Sequence, residues 1–497
     1  MAPVARDIEK HEDHGQDGVG QRDGGSSPRG HSLFAAVRQR MNAAIPHGSL
    51  KRRLASGVFW SLSGTLAAQA LGAAAGIITA RVLGKAGYGE LGMIQGTMMM
   101  LGTFAGLGLG DTNRKYIAEL RGKDPVRAGR ILGFSTQVAV LSGLIMAAAV
   151  AVGARYLAED VLGAPRLTGY IRLSSVLLLL GPLAGVQSAA IEGFEGFRHL
   201  NHMRITLAAV GSLLMIVGAV RWGITGAIWA ILLGTAVGIA GYRLLLHRYC
   251  RAAGIPFCFR DAWQERRLMW KFALPALLSG VFVGPVYWAA SAMVVNTPGG
   301  FGELGVFNAA NQWRSLILFV LNAVGAVALP VLANLYGNND SRRYAAALKA
   351  NLALNLTAGL AIGVCVVFAR SWIMMLYGRS FSAGASVLVL LAATAVLQGV
   401  GVVVGSAIAS TGRMWQGLCL NVLWAAEFLV ATRLLLDRGA VGLGAAYLIS
   451  YFLHTLQLGV FTWFLTRSPS WCRRSSDSLR APLGEISDPE AAGQFLA

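Results

Sequence analysis

The chain has 497 residues, of which 55% are hydrophobic and only 13% are charged. A soluble domain carries about 25% charged residues, so this composition excludes an ordinary soluble enzyme. The formal net charge is +19, from 43 Lys and Arg residues against 24 Asp and Glu residues. In a membrane protein such an excess first reports topology, so the positions of the basic residues matter more than their number.

Residues 1–53 are polar and have no apolar core of a signal peptide, which predicts a disordered tail. A helix needs about 20 apolar residues to cross a bilayer. The remaining chain supplies about twelve such runs, near 56–80, 90–110, 131–152, 171–192, 204–221, 224–246, 272–296, 304–333, 346–369, 385–410, 414–435 and 440–466. A short polar tail, 467–497, follows the last of them.

Lys and Arg residues are concentrated in the two tails and in alternate loops, above all 111–130 and 243–271. The turn 297–304 on the opposite side has none. Because basic residues mark cytoplasmic loops, this asymmetry predicts a multi-pass protein of the bacterial cytoplasmic (inner) membrane with both termini in the cytoplasm. The positive charge therefore requires no nucleic-acid partner.

The sequence also contains an internal repeat. Residues 87–94 read GYGELGMI and residues 300–307 read GFGELGVF, while 117–122 read IAELRG and 332–337 read LANLYG. Two matches in register, at equivalent places in the predicted topology, favour a duplication. Because each half has an even number of spans, the halves have the same orientation, as in transporters built from parallel repeats.

This arrangement predicts an all-α membrane protein with two six-helix bundles around a central cleft. The N-terminal bundle is placed at 54–246, a basic cytoplasmic linker at 247–271 and the C-terminal bundle at 272–466.

Several segments carry a resemblance to a known family. TARVLGKAGYGELGMIQ and DTNRKYIAELRG, followed by AIEGFEGFRHLN and AIASTGRMW, resemble segments of the polysaccharide (O-antigen type) flippases of the multidrug/oligosaccharidyl-lipid/polysaccharide exporter superfamily. The resemblance covers roughly residues 52–466. It implies alternating-access translocation of an undecaprenyl-pyrophosphate-linked oligosaccharide for surface polysaccharide synthesis. It also implies membrane lipids, a polysaccharide polymerase and glycosyltransferases as partners.

Arg314 is the one basic residue deep within a predicted span. A charge at that depth costs at least about 2.5 kcal/mol unless it faces protein or water, so it is a candidate to neutralise a diphosphate. Polar residues follow one face of the same helix: Asn308, Asn311, Gln312, Ser315 and Asn322. Arg314 lies on the flank of this stripe, and a structural arginine tying helices together is the alternative.

Two further polar residues lie within predicted spans. Gln69 belongs to a stripe of small and polar residues on the first span, which suits either a cleft lining or close helix packing. Glu427 lies within the eleventh span and is a candidate for proton coupling or for pairing with Arg314 or Arg433.

Two other functions remain open. An ion-coupled small-molecule exporter of the same superfamily would favour an acidic cleft, whereas the deep charge here is basic. A membrane enzyme of polysaccharide assembly is less favoured, because neither GxxxxGK[ST] nor HExxH occurs. The five cysteines are scattered without CxxC spacing, so the sequence predicts no cofactor and no metal site.

Overall fold

The computed structural model describes residues 50–274, 277, 282–325, 328–338, 340–411 and 414–467. The predicted tails, 1–53 and 467–497, lie outside the described residues except at 50–53 and 467. Within the described ranges the chain is nearly all helical, and no β-strand occurs there.

Six helices form the first half of the described chain: α1 Leu50–Gly106, α2 Leu109–Leu120, α3 Pro125–Tyr156, α4 Thr168–Ser174, α5 Leu177–Gly193 and α6 Phe197–Ala252. Eight follow: α7 Val283–Val295, α8 Gly300–Gly325, α9 Ala328–Gly337, α10 Ser341–Phe368, α11 Arg370–Tyr377, α12 Gly384–Ser410, α13 Met414–Leu434 and α14 Gly439–Arg467.

Two of these helices are each made of two limbs. Helix α1 is interrupted at Gly84, whose φ of 67° is not helical. In α6 the break lies at Trp222 and Gly223, where Gly223 has a φ of 58° that favours glycine. The close approach of residues on the two sides of the break shows that the chain reverses there. A Cβ placed on Gly226 would lie only 2.0 Å from the backbone oxygen of Gly218.

In the described part of the chain, nine helical segments are long and apolar enough to cross a membrane. Two of them contain the breaks in α1 and α6 and so provide two spans each. The short apolar helix α7 falls in the predicted span 272–296. The helices therefore match the twelve runs that were predicted from hydropathy.

The contacts divide the chain into two compact units. The first unit contains the described residues of Met1–Ala75, Met98–Ala154 and Gly169–Gly280. In it α5 packs against both α6 and α2. Its core is formed by fully buried side chains such as Ile117 and Ile131. The division into two bundles at 54–246 and 272–466 stays a prediction.

The second unit contains Gly76–Thr97, Arg155–Thr168 and the described residues of Val281–Ala497. Here α8 packs on α12, and α12 packs on α10 and α14. The limb of α1 after Gly84 crosses α8 at two glycines. A Cβ on Gly89 would lie 1.8 Å from the oxygen of Phe301, and one on Gly305 would lie 1.9 Å from the oxygen of Lys85. Backbone atoms exclude a side chain at both positions, which explains one glycine in each copy of the repeat, Gly89 and Gly305.

Candidate functional site

The candidate site is built on helix α8, which begins directly after Gly299, a glycine with a φ of 73°. Near the start of the helix, Glu303 accepts a hydrogen bond from the backbone nitrogen of Ala440 at 2.9 Å. This contact joins the first turn of α8 to the start of α14. At 1.5 Å per residue, Arg314 lies about 17 Å beyond Glu303 along α8, within a membrane-spanning segment.

Arg314 is buried, with 7% of its surface exposed. Its Nε donates to Oδ1 of Asn311 at 2.6 Å, and its Nη1 donates to Oε1 of Gln398 at 2.5 Å. The guanidinium carbon lies 5.1 Å from the centre of the Tyr447 ring, a cation–π geometry. Arg314 is thus held by two neutral amides and an aromatic face.

An aromatic cluster from α7 and α14 supports these contacts. Tyr447 stacks on Tyr287 with a centroid separation of 5.2 Å and an interplanar angle of 3°. The Tyr287 hydroxyl lies 2.5 Å from that of Tyr451 and accepts a hydrogen bond from Nε2 of Gln398 at 3.5 Å. The amide of Gln398 is therefore oriented with its oxygen toward Arg314 and its nitrogen toward Tyr287.

No carboxylate contacts Arg314 among the residues that the structure describes. An arginine has five N–H donors, and the two amide contacts use two of them. Among these residues the guanidinium is therefore not paired with a carboxylate, and it lies in a buried setting. Such a group binds an anion more strongly than the same group in water, because the local dielectric constant is lower.

The structure brings only part of the predicted polar stripe to Arg314. Asn311 contacts it directly. Gln312 instead accepts a hydrogen bond from the Tyr377 hydroxyl at 2.6 Å, and its amide nitrogen lies 2.7 Å from where a Cβ on Gly76 would be. The substrate-binding role predicted for Gln312 stays a prediction, since this side chain now packs against α1 and α11.

Asn308, one turn before Gln312, behaves in the same way. Its amide nitrogen lies 2.1 Å from the position of a Cβ on Gly92, so it fills the space that the missing side chain leaves. Asn308 and Gln312 thus face α1, on either side of its break at Gly84, whereas Arg314 reaches Gln398 on α12. Asn308 stays a predicted contact for the substrate.

The other two predicted residues lie elsewhere. Gln69 is half-buried on the α1 segment that belongs to the first unit. Glu427 on α13 accepts a hydrogen bond from Gln457 at 2.5 Å, and its second carboxylate oxygen is buried without a hydrogen-bond partner. Within the described ranges Glu427 forms an ion pair with neither Arg314 nor Arg433.

Sequence reasoning missed two groups of residues. Gln398 and Tyr447 complete the Arg314 site, and the available signal was a lone amide and a tyrosine within otherwise apolar spans. The second group is an ion-pair network in the first unit. Glu192 accepts from Arg114 and from Arg204, both at 2.6 Å.

The Arg114–Glu192–Arg204 network, extended by Asp111 at 2.5 Å from Arg114, lines a cavity of about 410 Å³ together with five glycines. Burial alone would lower the pKa of Arg114, but the hydrogen bond and the charge of Glu192, together with Asp111, raise the pKa above its ordinary value. Both arginines of the network are therefore neutralised by carboxylates.

Relatives of known description share this architecture. Residues 54–336 match the model of the polysaccharide biosynthesis protein family. The EPS I polysaccharide export inner membrane protein EpsE of Ralstonia solanacearum is 27% identical over 344 residues, which cover 65% of this chain and 76% of that protein. The lipid III flippase of Escherichia coli (strain K12) is 22% identical over 294 residues, which cover 58% of this chain and 70% of the flippase.

Solved structures show the same fold. An inward-facing multidrug resistance MATE family transporter of the MOP superfamily superimposes with a TM-score of 0.66 at 18% identity, over 83% of this chain and all of that one. The inward closed conformation of the lipid II flippase MurJ gives a TM-score of 0.63 at 12% identity, over 81% and 86% of the two chains. The predicted fold class is confirmed, and the chain is a multi-pass, all-helical membrane protein. Because the family model matches more than half of its length, the chain belongs to the polysaccharide biosynthesis protein family.

Proposed function

We propose that this protein translocates an undecaprenyl-pyrophosphate-linked oligosaccharide across the cytoplasmic membrane by alternating access, for surface polysaccharide synthesis. Family membership and the export and flippase activities named for its relatives support translocation of a lipid-linked glycan. A polysaccharide polymerase and glycosyltransferases that act before and after translocation are the proposed partners.

The observation that carries this proposal is the buried Arg314 without a carboxylate partner. The diphosphate is the most expensive part of the substrate to move through hydrocarbon, because each charged oxygen loses its water. A fixed guanidinium with unused donors offsets that loss with charge-assisted hydrogen bonds. Asn311 and Gln398 hold the guanidinium in place without neutralising it.

The test replaces Arg314 and compares transport per molecule of membrane-inserted protein. Arg314→Ala is expected to abolish transport at near-normal abundance, whereas Arg314→Lys should retain part of it, because the charge survives without the planar fork. Arg433→Ala, which removes an exposed arginine of the same unit, is the control and should transport normally. Full transport per molecule in Arg314→Ala would end the proposed role of Arg314.

Glu427 is proposed as the coupling residue. Its unpartnered buried oxygen suits a carboxyl group that takes up and releases a proton. Glu427→Gln should then remove the dependence of transport on a proton gradient, while Gln457→Ala, which removes only the hydrogen-bond partner, should retain it. Unchanged gradient dependence in Glu427→Gln would exclude this role and leave translocation uncoupled at this residue.

The proposed orientation places both termini and the basic segments 111–130 and 243–271 in the cytoplasm, on the distribution of Lys and Arg. A single cysteine at residue 120 in a cysteine-free chain should resist an impermeant reagent in intact cells and react after the membrane is opened. Labelling in intact cells would invert the topology.

A further inference from the structure

A groove of about 760 Å³ lies at the end of the second limb of α6, within the first unit. One wall is a row of two arginines and a histidine, Arg243, His247 and Arg251, spaced by four residues and therefore on one face of the helix. All three are exposed. None of them belongs to an ion pair in the part of the chain that the structure describes.

The opposite wall is an extended segment that includes Pro256 and Phe259. It is held against α3 at two glycines, because a Cβ on Gly129 would lie 1.9 Å from the oxygen of Pro256 and one on Gly133 would lie 2.1 Å from that of Cys258. Gln137, one turn further along α3, adds a third point of attachment.

The Nε2 atom of Gln137 donates to the backbone oxygen of Phe259 at 3.0 Å. The rings of Phe257 and Phe259 stack with centroids 6.1 Å apart, which adds an aromatic surface to this wall. On the helix side, Leu246 and Cys250 are buried in the core of the unit. Both walls are thus anchored, and the groove is a built feature of the fold.

The depth of the groove decides what it faces. The limb begins at Gly223, about 20 residues before Arg243, and about 20 residues of helix span the roughly 30 Å hydrocarbon core. Arg243 therefore lies at the boundary of the hydrocarbon, and His247 and Arg251 extend through the headgroup layer. Ala240 and Leu244 line the end of the groove nearest the acyl chains.

We infer that this groove binds an anionic phospholipid, with its phosphate on Arg243, His247 and Arg251 and an acyl chain along Leu244. Along α6 the groove changes from apolar residues to basic ones, as a phospholipid changes from its acyl chains to its charged phosphate. The groove and the Arg314 site have no residue in common. Lipid binding in the groove does not depend on whether the protein transports a substrate.

The test uses the purified full chain in nanodiscs of equal parts phosphatidylglycerol and phosphatidylcholine, and native mass spectrometry counts the lipids retained. The variant Arg243→Gln/Arg251→Gln removes two groove cations. Its matched control, Arg248→Gln/Arg260→Gln, removes two neighbouring exposed cations that do not line the groove.

The apparent affinity for phosphatidylglycerol is expected to fall about 30-fold in the groove variant, equivalent to about 2 kcal/mol, because each basic residue near the membrane contributes about 1 kcal/mol. The control should change it by less than about threefold on the same scale. Affinity for phosphatidylcholine should be equal in all three proteins. The single variants Arg243→Gln and Arg251→Gln measure the same quantity if the double variant does not fold.

Equal losses in the groove variant and the control would overturn the inference, because binding would then follow net charge alone. Unchanged phosphatidylglycerol binding in the groove variant would also overturn it. Displacement of phosphatidylglycerol by an equimolar amount of undecaprenyl pyrophosphate would instead assign the groove to the lipid-linked diphosphate. None of these results depends on translocation, so the inference fails or stands separately from the proposed function.

Discussion

The two units contain arginines in opposite electrostatic settings. In the first unit Arg114 and Arg204 both bind the carboxylate of Glu192. In the second unit Arg314 binds the amide oxygens of Asn311 and Gln398 and the face of a tyrosine. The network of the first unit is close to neutral, whereas the Arg314 site keeps its positive charge.

Burial makes this difference informative. The side chain of Arg114 is 52% exposed, so its ion pair with Glu192 is partly screened by solvent. Arg314 is 7% exposed, so its charge loses more hydration energy on burial and would gain more from a counter-ion. The proposal that Arg314 serves a ligand rests on this contrast, because the more buried cation lacks a carboxylate. The more exposed network joins helices α2, α5 and α6.

The largest effect is expected when the Arg314 site is made to resemble the Arg114 network. Gln398→Glu places a carboxylate 2.5 Å from the guanidinium and neutralises it. At an effective dielectric constant of about 20 such a pair interacts by about 4 kcal/mol, so transport should fall between about tenfold and 1000-fold.

Transport per folded molecule in membrane vesicles measures this effect, and abundance should stay near normal. Gln398→Met, which removes the acceptor without adding charge, should lose much less. Equal losses in the two variants would show that the shape of Gln398 matters and the charge of the site does not.

The reverse change is made in the first unit. Glu192→Gln leaves two arginines without their shared carboxylate, and loss of the charged hydrogen bonds should lower the free energy of unfolding by about 1–3 kcal/mol. Thermal unfolding in detergent measures it. Glu159→Gln, which breaks an ion pair with the exposed Arg155, is the control and should leave the midpoint nearly unchanged. A stable Glu192→Gln protein that fails to transport would move the network from a structural to a substrate-binding role.

The smallest effect is expected at the aromatic face beneath Arg314. Tyr447→Leu removes the cation–π contact, worth about 1–2 kcal/mol in a buried site, so transport should fall several-fold. Tyr447→Phe keeps the ring and should transport nearly as well as the unchanged protein. If Tyr447→Phe were as impaired as Tyr447→Leu, the hydroxyl would be the group that matters.

Hydropathy alone predicted the twelve spans and an all-α membrane protein, because the thickness of the bilayer dictates the length of an apolar run. The repeat at 87–94 and 300–307 was also readable, and the structure shows why its glycines are needed where α1 crosses α8. Arg314 could be identified as a deep cation because a charged residue within a long apolar run can be recognised from the sequence alone.

The partners of that cation were decided by tertiary structure. Gln398 is 84 residues away from Arg314, and Tyr447 lies on yet another helix, so no local spacing relates them. Helical periodicity placed Asn308, Asn311 and Gln312 on one face of α8. Several helices pack around α8, however, so that Asn308 and Gln312 meet α1, whereas Asn311 contacts Arg314. Periodicity records which side chains share a direction along one helix, whereas the neighbour that each side chain meets depends on how several helices pack.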